Sequence, residues 1–190
     1  MTRINAPLDD DSLPAGTLVA VDMQIAFRDS DSEWAVPRYL EAEANVLRLR
    51  EAFNEVVWTK FVRAPEEAGS WEHYYDRWST FRVDETDPRW ELTVEPGPQD
   101  TVITLPTFSK WGTELAALAP IEQPLYACGV ATDCCVLSTV LGAVDAGRKV
   151  VVIADACGAV SDEAQEQTLS VLGLLAPMVE IVQTRDVLGS

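Results

Sequence analysis

Positive charge is scarce in this chain of 190 residues: 14 Lys and Arg stand against 31 Asp and Glu, a formal net charge of -17. A field of that sign repels nucleic acid and anionic membrane, so neither is an expected partner, and a neutral or cationic small-molecule substrate suits it better than a polyanion. Histidine is reduced to His73, and the four cysteines (Cys128, Cys134, Cys135, Cys157) include no pair at CxxC spacing. Those shortages argue against a disulfide framework and against a metal centre, so no metal and no cofactor is expected. No apolar run reaches the roughly 20 residues of a membrane span, and the opening MTRINAPLDDDSLPAG lacks the apolar core of a signal peptide; a cytoplasmic protein is expected.

What the chain does have is a set of six short, β-branched apolar runs, at 17–23, 55–62, 100–105, 123–130, 148–155 and 178–184. Their near-continuous hydrophobicity is that of strands buried on both faces. Segments with helical spacing alternate with them, at 38–55, 111–120, 131–147 and 161–176. Such alternation predicts an α/β fold: a three-layer α/β/α domain with a central, mostly parallel six-stranded sheet, spanning 1–190 as one unit. The stretch 64–98, rich in Trp, Tyr, Glu and Pro, shows neither period and is expected to be a long irregular excursion of functional use.

Two strand ends carry candidate chemistry, and in open α/β sheets ligands bind where strand gives way to helix. The run LYACGV leads into ATDCCV, with Thr132 or Asp133 as a plausible N-cap. A cysteine in a first helical turn sees unsatisfied N–H groups and the positive end of the helix dipole, which lower a thiol pKa, and the same N–H groups can hold an oxyanion. Both cysteines could equally be small core hydrophobes. The run LVAVDMQIAF ends on Asp22, a carboxylate that burial and proximity would suit to proton transfer, or that could cap the next segment or pair with an arginine. With the lone histidine in neither turn, a carboxylate is the available base for a cysteine nucleophile, and a lysine would stabilise the thiolate.

From LVAVDMQIAF through GVATDCCVLSTVLGAVDAGRKVVVIADACGAVS the chain resembles the isochorismatase-like cysteine hydrolases, the superfamily of nicotinamidases, N-carbamoylsarcosine amidase and isochorismatase. The resemblance implies Cys135 as nucleophile, Cys134 at a variable position, Asp22 as acid/base, a cis Val130–Ala131 peptide, and an oxyanion hole from the amides of Ala131 and Cys135. It also implies a homodimer or homotetramer. The family's lysine, at the end of the third strand, falls near Leu105 here; Lys110, downstream in TFSKWGTEL, is the substitute this chain offers, or else an ordinary surface lysine. The nicotinamidase Asp-x-His metal motif has no counterpart, and His73 stands alone.

Gln24, Phe27, Trp71, Trp78, Trp111 and Thr132 are the expected substrate-binding residues, in a region where Trp34, Tyr74 and Tyr75 add aromatic density suited to a flat or cationic ligand or to an interface. Arg63, Arg77 and Arg82 could neutralise a carboxylate or pair with nearby acids. The expected activity is metal-independent hydrolysis of a C–N bond in a small amide or ureide. The alternatives are vinyl ether hydrolysis of an isochorismate-like substrate and a non-catalytic homologue that binds a small molecule or a protein.

Overall fold

The computed structural model describes residues 14–189. Its strands are β1 (Thr17–Val21), β2 (Val56–Phe61), β3 (Thr101–Leu105), β4 (Leu125–Val130), β5 (Val150–Gly158) and β6 (Val179–Val182). Between them run α1 (Ile25–Arg28), α2 (Tyr39–Arg50), α3 (Ser70–Arg77), α4 (Thr113–Leu118), α5 (Leu137–Asp145), α6 (Asp162–Gly173) and α7 (Thr184–Leu188). The six strands form one sheet in the order β3-β2-β1-β4-β5-β6, and every neighbouring pair is parallel. The expected mostly parallel sheet is therefore parallel throughout.

Burial follows position in the sheet. The central strands β1, β2, β4 and β5 are covered on both faces, in keeping with their continuous apolar runs. The expectation fails at the two edges: Val102 of β3 and Glu180 of β6 are exposed, and Ile181 and Val182 are only partly covered. An edge strand has a neighbour on one side only, and the covering helices do not reach across it.

The 64–98 excursion is more regular than its sequence suggests. It holds α3 and two 3-10 turns, Ser79–Phe81 and Pro88–Trp90, and it folds inward so that Tyr75, Phe81 and Trp90 join the core. With few aliphatic residues at helical spacing, α3 is fastened by ring-on-ring contacts rather than by an apolar stripe, which is why no helical period shows.

Strand order reverses between β1 and β4, and the chain puts a glycine there. Gly129 has φ +107, and a Cβ on it would fall 2.1 Å from the carbonyl oxygen of Val21. The close approach of β4 to β1 at this point requires the missing side chain. Gly69, at φ +61, has open space around it. Gly129→Ala should therefore cost about 3 kcal/mol or more, with Tm falling by at least about 6 °C, whereas Gly69→Ala should cost only ~1 kcal/mol for its backbone conformation. Thermal unfolding of the two variants measures the contrast, and equal losses would count against the close approach.

Candidate active site

β1 ends on Asp22, which is fully buried and held at a positive φ of 49 degrees. Its backbone N–H donates to Thr59 Oγ1 at 3.1 Å, and that hydroxyl donates to Asp22 Oδ1 at 2.6 Å. The second oxygen, Oδ2, accepts no hydrogen bond and lies 3.1 Å from Lys110 Nζ. Thr59, the fully buried polar residue of β2, thus aims the carboxylate and leaves one oxygen with spare acceptor capacity.

Lys110 arrives from the loop between β3 and α4 and is also fully buried. Its ammonium donates to the Thr107 carbonyl at 2.6 Å and lies 4.7 Å from the centre of the Phe61 ring. Its backbone N–H donates to Thr139 Oγ1 at 2.9 Å, and Thr139 donates in turn to the carbonyl of Cys135 at 2.7 Å. A threonine one turn along α5 therefore ties the lysine loop to the cysteine turn. Leu105 is not the group facing Asp22: it sits at the end of β3 paired with Phe61. Of the two alternatives for Lys110, the surface lysine is ruled out by its burial.

The cysteine turn, Thr132–Val136, is a π-helical turn whose hydrogen bond runs from Val136 N–H to the Ala131 carbonyl. It follows a cis Val130–Ala131 peptide, as the resemblance implies. Neither suggested cap acts as one. Asp133 instead accepts from the Val160 N–H at 3.1 Å, and the Thr132 hydroxyl is buried without a partner.

Cys135 is buried and Cys134 half-buried. The expectation that the helix N-terminus lowers the nucleophile's pKa is reversed here. The neighbouring Cys134 and burial push the Cys135 thiol well up, and Asp22 adds to the rise while Lys110 opposes it. Cys134, by contrast, is held below the ordinary thiol range by its Cys135 neighbour, against burial. Asp22 and Lys110 lie close enough for their charges to bear on both sulfurs. Cys135 thus rests as a thiol within range of the Asp22 charge.

Above Cys135 opens a cavity of about 220 Å³ lined by Phe27, Trp34, Phe61, Tyr74, Trp78 and Phe108, with Glu33, Ala131, Asp133, Cys134 and Val160 completing it. Phe27 and Trp78 are where the sequence reading puts them, and Ala131 and Cys135, the expected oxyanion pair, both face the cavity. Four expected binding residues do not line it. Gln24 is consumed by the backbone, donating to the carbonyls of Phe61 and Trp90 at 3.0 and 2.8 Å and accepting from Phe61 N–H at 2.8 Å. Trp71 stands behind the wall against Phe108 (4.9 Å between centroids), Trp111 packs where Gly142 leaves room and under Arg148, and Thr132 is enclosed.

Thr59, Thr139, Glu33, Phe61 and Val160 escaped the sequence reading. A lone threonine within an apolar strand and another four residues after the cysteine were the visible signals for the first two. Arg63 and Arg82 pair with Glu67 at 2.6 and 2.9 Å, and Arg82 also meets Asp76 at 2.9 Å, so these two arginines serve the excursion's own acids.

The parallel α/β sheet with a site at its switch point defines a doubly wound protein of the Rossmann-like kind. The isochorismatase domain model matches residues 17–186, and the chain belongs to the isochorismatase family of hydrolases. No curated protein sequence matches it. Among solved structures it is similar to a cysteine hydrolase from Pseudomonas syringae pv. phaseolicola (18% identity, TM-score 0.79, covering 100% of this chain and 96% of that one). It is also similar to N-carbamoylsarcosine amidase from Thermoplasma acidophilum (19%, TM-score 0.67, covering 88% and 95%). A third relative is the pyrazinamidase of Pyrococcus horikoshii in complex with zinc (26%, TM-score 0.68, covering 88% and 98%). The residues here do not fit a zinc site: His73 is exposed on α3 beside Asp76, and among the described residues no three His, Cys, Asp or Glu side chains are arranged to hold a metal.

Removing one member of the buried pair strands the other's charge. Lys110→Met should cost about 3–5 kcal/mol, and the Asp22→Asn/Lys110→Met double variant should lose about 1–3 kcal/mol less than the sum of the singles in denaturant unfolding; simple additivity would mean the two charges are independent. In the wild type near neutral pH, iodoacetamide should modify Cys134 before Cys135, read by peptide mass. Modification of Cys135 first would contradict the shifted pair.

Proposed function

We propose that this protein is a metal-independent cysteine hydrolase that cleaves a C–N bond of a small amide or ureide through a thioester on Cys135. The observation that carries the reading is the buried Asp22–Lys110 contact at 3.1 Å, its charges felt at the Cys135 sulfur. Asp22 Oδ2 takes the thiol proton as the sulfur attacks the substrate carbonyl. The oxyanion is met by the backbone N–H groups of Ala131 and Cys135, and Asp22 then passes its proton to the departing nitrogen. A water deprotonated by the same carboxylate cleaves the thioester and frees the acid. Lys110 holds Asp22 in place through the 3.1 Å contact.

The vinyl ether alternative calls for a cation to receive an anionic substrate, and among the described residues no Lys or Arg lines the cavity. The non-catalytic reading rested on Leu105 at the family's lysine position, and the reach of Lys110 to Asp22 weighs against it.

A panel of small amides and ureides, followed by denaturing mass spectrometry of quenched turnovers, tests the proposal. An acyl adduct on Cys135 is expected, with activity reduced at least about 10³-fold in Cys135→Ser and retained in Cys134→Ser. Turnover that survives in Cys135→Ala, with no adduct in the wild type, would sink the thioester mechanism.

A further inference from the structure

The cavity is unusual in the sign of what surrounds it. Among the described residues six aromatic side chains form its walls, the charged residues lining it are Glu33 and Asp133, and neither Lys nor Arg does. Both carboxylates hold neutral partners. Glu33 accepts from the Thr80 hydroxyl and Asp133 from the Val160 N–H, and neither has a cationic partner among the described residues. Lys110 lies 4.7 Å from the centre of the Phe61 ring, with its charge matched by Asp22. Arg63 and Arg82 are occupied by Glu67, and the Arg77 guanidinium sits 4.8 Å from the centre of the Trp78 ring without lining the cavity.

We infer that the substrate's apolar part carries a positive charge, and that the enzyme acts on amides or ureides bearing an alkylammonium group. Aromatic faces present the negative side of their quadrupole to a cation, most strongly for Trp when water is displaced. Trp34 is buried and stacked on Phe81 at 3.6 Å, and Trp78 is partly buried, so two indoles are held in the walls. Glu33 at the exposed rim and half-buried Asp133 beside the cysteines supply full charges at the entrance and near the floor. A substrate carboxylate would meet two like charges here and no cation. The net charge of -17 draws cations toward the same opening. A quaternary ammonium is the form that best uses such walls, having no N–H that needs a hydrogen-bond acceptor among the rings.

The inference deepens the proposed function by naming the substrate class, and it rests on that reading only for the reaction, not for the binding. Intrinsic tryptophan fluorescence can follow titrations with benzyltrimethylammonium, benzyl alcohol and phenylacetate as cationic, neutral and anionic probes. The cation should bind about 10-fold more tightly than the alcohol, and phenylacetate more weakly than either. In Glu33→Gln/Asp133→Asn, which keeps the acceptors for Thr80 and Val160, the cation's advantage should fall about 10-fold while benzyl alcohol binding stays unchanged. Equal binding of cation and alcohol, tightest binding of phenylacetate, or a preference indifferent to the two carboxylates would overturn it. Cation selectivity in a protein that forms no acyl adduct with any amide would defeat the hydrolase reading and leave this inference standing; hydrolysis of neutral or anionic amides without cation binding would do the reverse.

Discussion

One fully buried ion pair sets the terms for the rest of this site. Taking a carboxylate and an ammonium out of water costs several kcal/mol for each, and their attraction offsets that only when the remaining bonds are supplied. Asp22 receives a hydroxyl from β2, and Lys110 receives a carbonyl from its own loop and the face of Phe61. Because β2 lies between β1 and β3 in the sheet, a lysine from the β3 side must pass over the end of β2 to reach Asp22. The Phe61 ring marks that crossing. Register, loop length and ring position are therefore coupled: shifting any of them strands a charge.

The architecture was legible because strands buried on both faces write themselves as continuous β-branched runs, and the strands at 17–21, 56–61, 125–130 and 150–158 do so. Asp22 and Cys135 were legible because each sits where such a run meets a turn. Lys110 was only half legible. Its distance along the chain from Leu105 is bridged by a loop whose path depends on tertiary contacts with Thr139, and no local signal encodes that path. The aromatic segment misled for a related reason: a ring's destination, cavity wall for Trp78 but backing layer for Trp71, is decided by which face of α3 the neighbours leave open. Gln24 misled because a buried amide satisfied by three backbone bonds looks, in sequence, like one waiting for a ligand.

The surroundings of Cys135 work against early ionisation. Lys110 favours a thiolate, but the neighbouring Cys134, burial and the Asp22 carboxylate outweigh it at Cys135. In the proposed reaction proton removal coincides with attack, and the carboxylate that opposes the thiolate at rest is the group that creates it when a carbonyl is in place. Glycine at 129 allows the two strands that lead to Asp22 and to the cysteine turn to approach more closely than side chains permit.

The strand order also has a consequence for how the protein is made. Synthesis proceeds through β1, β2 and β3 before β4 exists, and those three can pair among themselves, leaving one side of β1 open. That side carries unpaired backbone groups flanked by residues that end up fully buried, the kind of edge that recruits another chain. Only the arrival of β4 closes it, and the same event brings Cys135 to Asp22. A nascent chain is thus at its most vulnerable to association until β4 joins β1, so a shortened product ending before β4 keeps an open apolar edge prone to aggregate, while one extending past β5 has that edge sealed.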